Sequence, residues 1–280
     1  MLTRFVRIQL AIFAIVGTIG VVVMALWYVQ APTLLGIGKM TVTLKLPATG
    51  GLYRFSNVTD RGVAGMTVVL DAGHNAVNDA SINQQVPNGR GGTKACQTSG
   101  TATDDGYPEH AFNWAVVGLI GASLNQMGVT TRLTRGDDSS VGPCVDQRAA
   151  IANAAHPDAI VSIHADGGPP SGSGFHVNYS SPPLNAAQSG PAVQLARTMR
   201  DALVQAGFQP SNYIGSDGLY GRDDLAGLNL ADYPAVLVEL GNMKNAHDAA
   251  QMESADGRAR YADAVTQGIV AFLNARGPAG

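Results

Sequence analysis

The stretch VVLDAGHN, residues 68 to 75, is an apolar, β-branched run that ends in an acid, two small residues and a histidine. Extended back to Met66, it reads as a short strand buried on both faces, the pattern of an α/β sheet covered by helices. Two further runs share its texture, DAIVSIH (158 to 164) and PAVLVEL (234 to 240). VTTRLTR (129 to 135) and GFHVNY (174 to 179) read as additional strands. Helix patterns separate them: Pro108 to Met127 closed by Gly128, Val145 to Ala155 closed before Pro157, and Pro191 to Ala206 closed by Gly207. A last helix is expected over about Gly257 to Asn274. This alternation predicts a single α/β domain with a mixed, mostly parallel sheet flanked by helices. No internal repeat is visible, and Asn75 to Gly106, rich in Gly, Asn and Thr, is the one long loop. Loops of that length are usually functional when they lie beside a site.

The chain has 280 residues, 14% of them charged, with a formal net charge of −3. It has no basic footprint, so nucleic acid is excluded as a partner. From Ile8 to Gly38 no residue is charged, and Leu10 to Val29 is long enough to cross a hydrocarbon layer about 30 Å thick. Arg4 and Arg7 precede this run and Trp27 and Tyr28 close it. The positive-inside rule then predicts an N-terminal transmembrane helix with everything after it on the extracytoplasmic, periplasmic side of the cell envelope. A cleaved signal peptide is the alternative, but VQAPT is a poor cleavage site. The two cysteines, Cys96 and Cys144, both fall in the exported part and read as a disulfide. Such a bridge is expected to stabilise the fold by roughly 4 kcal/mol through loop closure.

MTVTLKLPATGGLYRFSNVTDRGV (40 to 63), behind FVRIQLAIF and PTLLGIG, resembles the N-terminal end of Mce-family exported lipid-transport components. The resemblance covers about residues 1 to 63 and stops where such a domain would need several more strands. Together with the apolar run it divides the chain into a cytoplasmic tip and membrane anchor over 1–36, a truncated Mce-like stub over 37–63, and the α/β domain over 64–280.

Three buried strands each deliver a residue capable of chemistry: His74, His164 and Glu239. In open α/β sheets, ligands bind at the carboxyl ends of the strands, so parallel strands would bring all three to one rim. Glu109, after Tyr107 and Pro108 at a helix start, is the fourth candidate. Singly, each has an ordinary explanation: a strand-end histidine is usually a satisfied polar group, and a first-turn glutamate suits the helix dipole. Glu239 is harder to dismiss, because an unpaired carboxylate in a buried run is costly. A divalent metal satisfies all four, since Zn²⁺ takes imidazoles and a carboxylate while a second carboxylate handles the proton of its water.

In these blocks the chain from about Gly65 onward resembles the zinc-dependent N-acetylmuramoyl-L-alanine amidases of the amidase_3 family, in their actinobacterial form. VVLDAGHN matches the first histidine block, EHAFNW the glutamate-helix block, RAAIANAAHPDAIVSIHAD the second histidine block and PAVLVELGNMKN the final glutamate block. The resemblance implies His74, Glu109 and His164 as zinc ligands and Glu239 as the catalytic base and acid. It further implies peptidoglycan fragments as substrate, cleaved between N-acetylmuramic acid and L-alanine of the stem peptide. A monomer is expected. Ala72 and Asp166 depart from the family pattern, and Asp166 stays unassigned. Arg148 matches an arginine frequent in the family, read either as a contact for a carboxylated peptide or as a structural salt bridge. Asn113, one turn after Glu109, is expected to orient that ligand, and Asp71 to hydrogen-bond the ligand shell. His110, His156, His176 and His247 match no block and are expected to be ordinary polar residues. Two other readings remain at this point: a zinc peptidase or carboxypeptidase acting on stem peptides, and a non-enzymatic Mce-like membrane component. No inserted helix of the kind that restrains related amidases is visible, though the 75 to 106 loop could shade the crevice.

Overall fold

The structure, a computed structural model, describes residues 62–276. In chain order its elements are β1 (Thr67–Ala72), a 3₁₀ turn (Ala80–Asn83), β2 (Gln85–Pro87), β3 (Thr93–Ala95), α1 (Glu109–Gln126), β4 (Thr130–Leu133), α2 (Val145–Ala154) and β5 (Ala159–Asp166). There follow β6 (His176–Ser180), α3 (Ala186–Ser189), α4 (Pro191–Gln205), β7 (Leu219–Arg222), α5 (Ala226–Asn229), β8 (Ala235–Asn242), α6 (Ala246–Glu253) and α7 (Ala255–Arg276). Six strands form one sheet in the order β4-β1-β5-β8-β6-β7. The first four are mutually parallel, β6 runs antiparallel to β8, and β7 is parallel to β6. The sheet is therefore mixed and mostly parallel, as expected.

The two faces of the sheet are unequal, and this positions the site. Side chains alternate across a strand, so Val68, Leu70 and Ala72 of β1, Val161, Ile163 and Ala165 of β5, and Val236, Val238 and Leu240 of β8 share one face. They pack against Phe112 and Ile120 of α1, Leu195 and Met199 of α4, and Tyr261, Ile269 and Phe272 of α7 in the main core. Each fully buried large apolar side chain there contributes on the order of 1.5 to 3 kcal/mol. The opposite face starts apolar, with Val69, Ile160 and Ala235 covered by Ala152 of α2 and Leu228 of α5. Further along the same strands it carries Asp71, Ser162, His164 and Glu239. The expectation that these strands are apolar on both faces thus holds only for their first halves. Beyond the cover of α2 and α5 the face borders a cleft of about 340 Å³ that includes all four of these polar side chains in its lining.

The predicted fold class requires one correction. Among the described residues no helix is long and apolar enough to cross a membrane. The two longest, α1 and α7, with 18 and 22 residues, spend their apolar sides on the sheet and on each other. The span expected over Leu10 to Val29 and the Mce-like stretch lie outside the described residues. Over the described residues the class is therefore a single α/β domain with a mixed sheet, with no transmembrane helix among them.

The stretch 75–106 is a more ordered connection than a loop. It holds the hairpin β2–β3, paired from Gln85 with Ala95 to Pro87 with Thr93. Side chains fasten the hairpin to the far edge of the cleft: Arg90 donates to Asn229 Oδ1 (3.1 Å), Ser180 Oγ (3.1 Å) and the Pro182 carbonyl (2.6 Å), and Lys94 Nζ to the Asp224 carbonyl (2.9 Å). The expected disulfide between Cys96 and Cys144 is present. It joins the segment after β3 to the N-cap of α2, and Val145 N donates alongside it to the Cys96 carbonyl at 2.9 Å.

Candidate active site

His74 follows the end of β1 by two residues and has φ 61°, in the left-handed region. Histidine is uncommon there, so the turn needs outside support. His164 lies within β5 and Glu239 within β8, in register with each other on adjacent parallel strands. Glu109 is the first residue of α1, where a carboxylate suits the helix dipole. His74 Nε2 and His164 Nδ1 each lie 3.0 Å from the same Glu109 oxygen, Oε1. The donor atoms of His74, Glu109 and His164 all fall within 4.8 Å of one another, and the two imidazole rings meet edge to face at 4.8 Å.

Two of the three donors, His74 and Glu109, are held from behind, while His164 is placed by its strand. The Thr98 carbonyl accepts from His74 Nδ1 at 2.8 Å, which fixes the ring with Nε2 facing into the cluster. Glu109 Oε2 accepts from Thr101 N (3.0 Å), while Oε1 accepts from Ala165 N (3.2 Å) and Asn113 Nδ2 (3.3 Å). Asn113 Nδ2 also donates to the Gly73 carbonyl at 3.3 Å, so it ties Glu109 to the His74 turn. Two glycines make the close packing possible. A methyl group at Gly73 would lie 2.2 Å from the His164 ring, and one at Gly100, which has φ +78°, would lie 2.9 Å from both Glu109 Oε2 and the His74 ring.

The electrostatics follow from burial and crowding. Burial alone would lower the His74 pKa, but the hydrogen bond and charge of Glu109 and the Thr98 carbonyl raise it overall. Burial would raise Glu109, yet hydrogen bonds and charge from His164 and His74 hold it well below the usual carboxylate range. Glu239 goes the other way: burial, with the negative charges of Glu109 and Asp166, pushes it well above the usual range against the pull of Arg222. Its Oε2 is buried without a hydrogen-bond partner among the described residues. A buried imidazole, a half-buried one and an ionised carboxylate converging on one point are a donor set for a divalent cation of zinc's class. The residues present fit such an ion.

Two sequence expectations change in detail. Among the described residues Asp71 makes its hydrogen bonds to partners other than His74, Glu109 and His164. It accepts from Thr134 Oγ1, from Ser162 Oγ at 2.5 Å and from Arg148 Nη1 at 2.9 Å. Arg148 is 4% exposed, and its N–H groups all point at protein acceptors, the salt bridge to Asp71 among them. Of the remaining histidines, His110 pairs with Asp138 (2.9 Å), His156 with Tyr233 (2.6 Å) and His247 with Gln251 (3.1 Å).

His176 departs from that ordinary role. It is in register with Glu239 on the antiparallel partner β6, it is buried, and its Nδ1 has no partner among the described residues. Burial pushes its pKa down to about 4, so it is neutral near pH 7. Tyr213, also missed from sequence, packs edge-on against His176 and donates to Asp166 Oδ2 at 2.9 Å. Burial and the Asp166 charge raise the Tyr213 hydroxyl above its ordinary value, keeping it a donor. The available signal for His176 was the alternation of His176, Asn178 and Ser180 with Val177 and Tyr179, which marks a polar face opposite the core.

The chain is similar to known proteins over most of its length. Residues 68–271 match the family model described as N-acetylmuramoyl-L-alanine amidase. An N-acetylmuramoyl-L-alanine amidase of Mycobacterium tuberculosis is 59% identical over 240 residues, covering 86% of this chain and 100% of that protein. The crystal structure of the N-acetylmuramyl-L-alanine amidase Ami1 from Mycobacterium smegmatis superposes with TM-score 0.76 at 63% identity, covering 76% of this chain and 99% of that one. The apo form of Ami1 from Mycobacterium abscessus gives TM-score 0.75 at 66% identity, covering 75% and 100%.

Proposed function

This chain belongs to the N-acetylmuramoyl-L-alanine amidase family, and from that premise we propose that His74, Glu109 and His164 form a zinc centre and that Glu239 moves the proton of the reaction. The protein is a peptidoglycan hydrolase of the amidase class. This sets aside the peptidase and the non-enzymatic readings. The observation that carries the zinc assignment is the convergence of the three donors within 4.8 Å, with His74 and Glu109 anchored from behind by the protein.

Zinc held there would supply Lewis-acid polarisation of the scissile carbonyl and a water acidic near neutral pH. The remaining work belongs to the chain. Glu239, register partner of His164, stands beside the reacting group and takes the proton of the attacking water onto its carboxylate. Its raised pKa lets it hold that proton, as a base working near neutral pH requires. As the amide bond breaks, Glu239 gives the proton to the leaving nitrogen of L-alanine. The products are a free muramoyl carboxylate and an intact stem peptide. Asn113 and the Thr101 amide hold Glu109 in the orientation this chemistry needs, and Thr98 does the same for His74.

The catalytic domain is residues 64–280, and it acts on the extracytoplasmic side of the cell envelope. The Cys96 to Cys144 disulfide, which persists in oxidising compartments, supports that location. The test combines metal analysis of the full-length protein with mass analysis of digested muropeptides. The expected result is one zinc per chain, loss of activity on chelation, restoration by Zn²⁺, and release of intact stem peptides. Full activity after complete metal removal, or shortened stem peptides, would refute the assignment.

A further inference from the structure

Resting on the zinc-centre reading, we propose that Arg148 is a positioning residue that sets His74 in place for the metal. β1 ends at Ala72, and two residues later His74 occupies a left-handed conformation that a β-carbon disfavours. Such a turn persists only where its surroundings fix it. Arg148 reaches it from α2, on the other side of the disulfide.

All five guanidinium N–H groups have acceptors. Nε donates to the Pro143 carbonyl (3.0 Å), Nη1 to Asp71 Oδ1 (2.9 Å) and the Ala72 carbonyl (2.7 Å), and Nη2 to the His74 carbonyl and Asn75 Oδ1 (both 2.7 Å). Four of these five bonds end on the chain between residues 71 and 75, on both sides of the ligand. A planar fork with five donors can span that arc; the three donors of a lysine ammonium cannot. No N–H remains for a substrate carboxylate. Arg148 fixes the backbone of His74 while the Thr98 carbonyl fixes its ring. Arg135 Nε also donates to the Ala72 carbonyl (2.8 Å), so the strand end keeps a donor when Arg148 is replaced, and the effect of replacement falls on residues 74 and 75.

The experiment uses full-length Arg148→Lys, which keeps a cation for Asp71 and loses the fork. Zinc affinity is measured by competition with a chelator of known affinity, beside the thermal midpoint of the metal-free protein and the kcat and KM at saturating zinc. The expected result is a zinc Kd raised about 10- to 100-fold, as for other groups that orient metal ligands. Metal-free stability should stay close to the parent, and at saturating zinc kcat should recover with KM unchanged. An unchanged zinc Kd in the folded variant overturns the proposal, and so does a raised KM at saturating zinc without a change in zinc Kd. Should Arg148→Lys fail to fold, the double variant Asp71→Asn with Arg148→Met removes both charges together and is read by the same criteria. A parent protein that binds no zinc would instead overturn the zinc centre itself, and this proposal with it.

Discussion

His164 and Glu239 are register partners on neighbouring parallel strands, so their side chains leave the sheet side by side on the same face. That pairing ties the donor cluster to the group proposed to carry the proton. Glu109 and Asp166 both add negative charge near Glu239, and their combined effect with burial sets its protonation.

Glu239→Gln should lower kcat/KM by about 10²- to 10⁴-fold, the usual worth of general acid–base catalysis. Bound zinc should remain, because residue 239 is not part of the donor cluster. Zinc content and stem-peptide release, measured on the same preparation, check this; loss of the metal together with activity would contradict it.

The pH profile has a definite sign. A base with a raised pKa loses its proton only at higher pH, so kcat/KM should fall as pH drops through that value. Asp166→Asn removes one of the charges that raises it, so the acid limb should move to lower pH. A profile that stays put or moves to higher pH would argue against Glu239 as the titrating base.

Asp71 links the site to stability. Burial would raise its pKa, but the Arg148 charge and the hydroxyls of Ser162 and Thr134 hold it well below the ordinary carboxylate value of about 3.9. A depressed folded pKa means stability that is present above the unfolded value and lost as pH falls through the folded one. Asp71→Asn should therefore destabilise the protein near pH 7, by about 3 to 5 kcal/mol if Arg148 is left unpaired. Its stability should also lose part of its dependence on pH below about 4. Urea unfolding at several pH values measures both effects.

The disulfide spans 48 residues and tethers the segment bearing Thr98 and Thr101 to the helix bearing Arg148. Replacing both cysteines with serine should cost about 2 to 5 kcal/mol, seen as a lower thermal midpoint. Zinc affinity should fall in parallel, because the backbone partners of His74 and Glu109 lose that tether; an unchanged zinc Kd would separate the disulfide from the metal centre.

Gly73→Ala should damage the centre more than the fold. The added methyl group meets the His164 ring, not the main core, so metal content should drop while far-ultraviolet circular dichroism stays near that of the parent. Retention of full zinc content would contradict the packing described.

Much of this was legible in the residues. The apolar runs at 66–71, 158–164 and 234–240 lie within one or two residues of β1, β5 and β8, because continuous β-branched runs have few other stable homes. The hairpin was not legible. Its strands are three residues long, and it is secured by Arg90 and Lys94 reaching partners more than ninety positions away in sequence or nearly so. The polar half of the sheet face was hidden for a similar reason: where α2 and α5 stop covering the strands depends on how the layers pack.

The α/β class, the order of the main strands and helices, the cysteine pair, and the four residues at 74, 109, 164 and 239 can be read along the chain. These rest on local periodicity and on motif blocks, which are written along the chain. Folding alone reveals that Arg148 spends its donors on the turn of His74 and that His176 and Tyr213 stand near Glu239 and Asp166. Hydrogen-bond partners and burial are set by which distant segments meet, and a linear pattern cannot specify them.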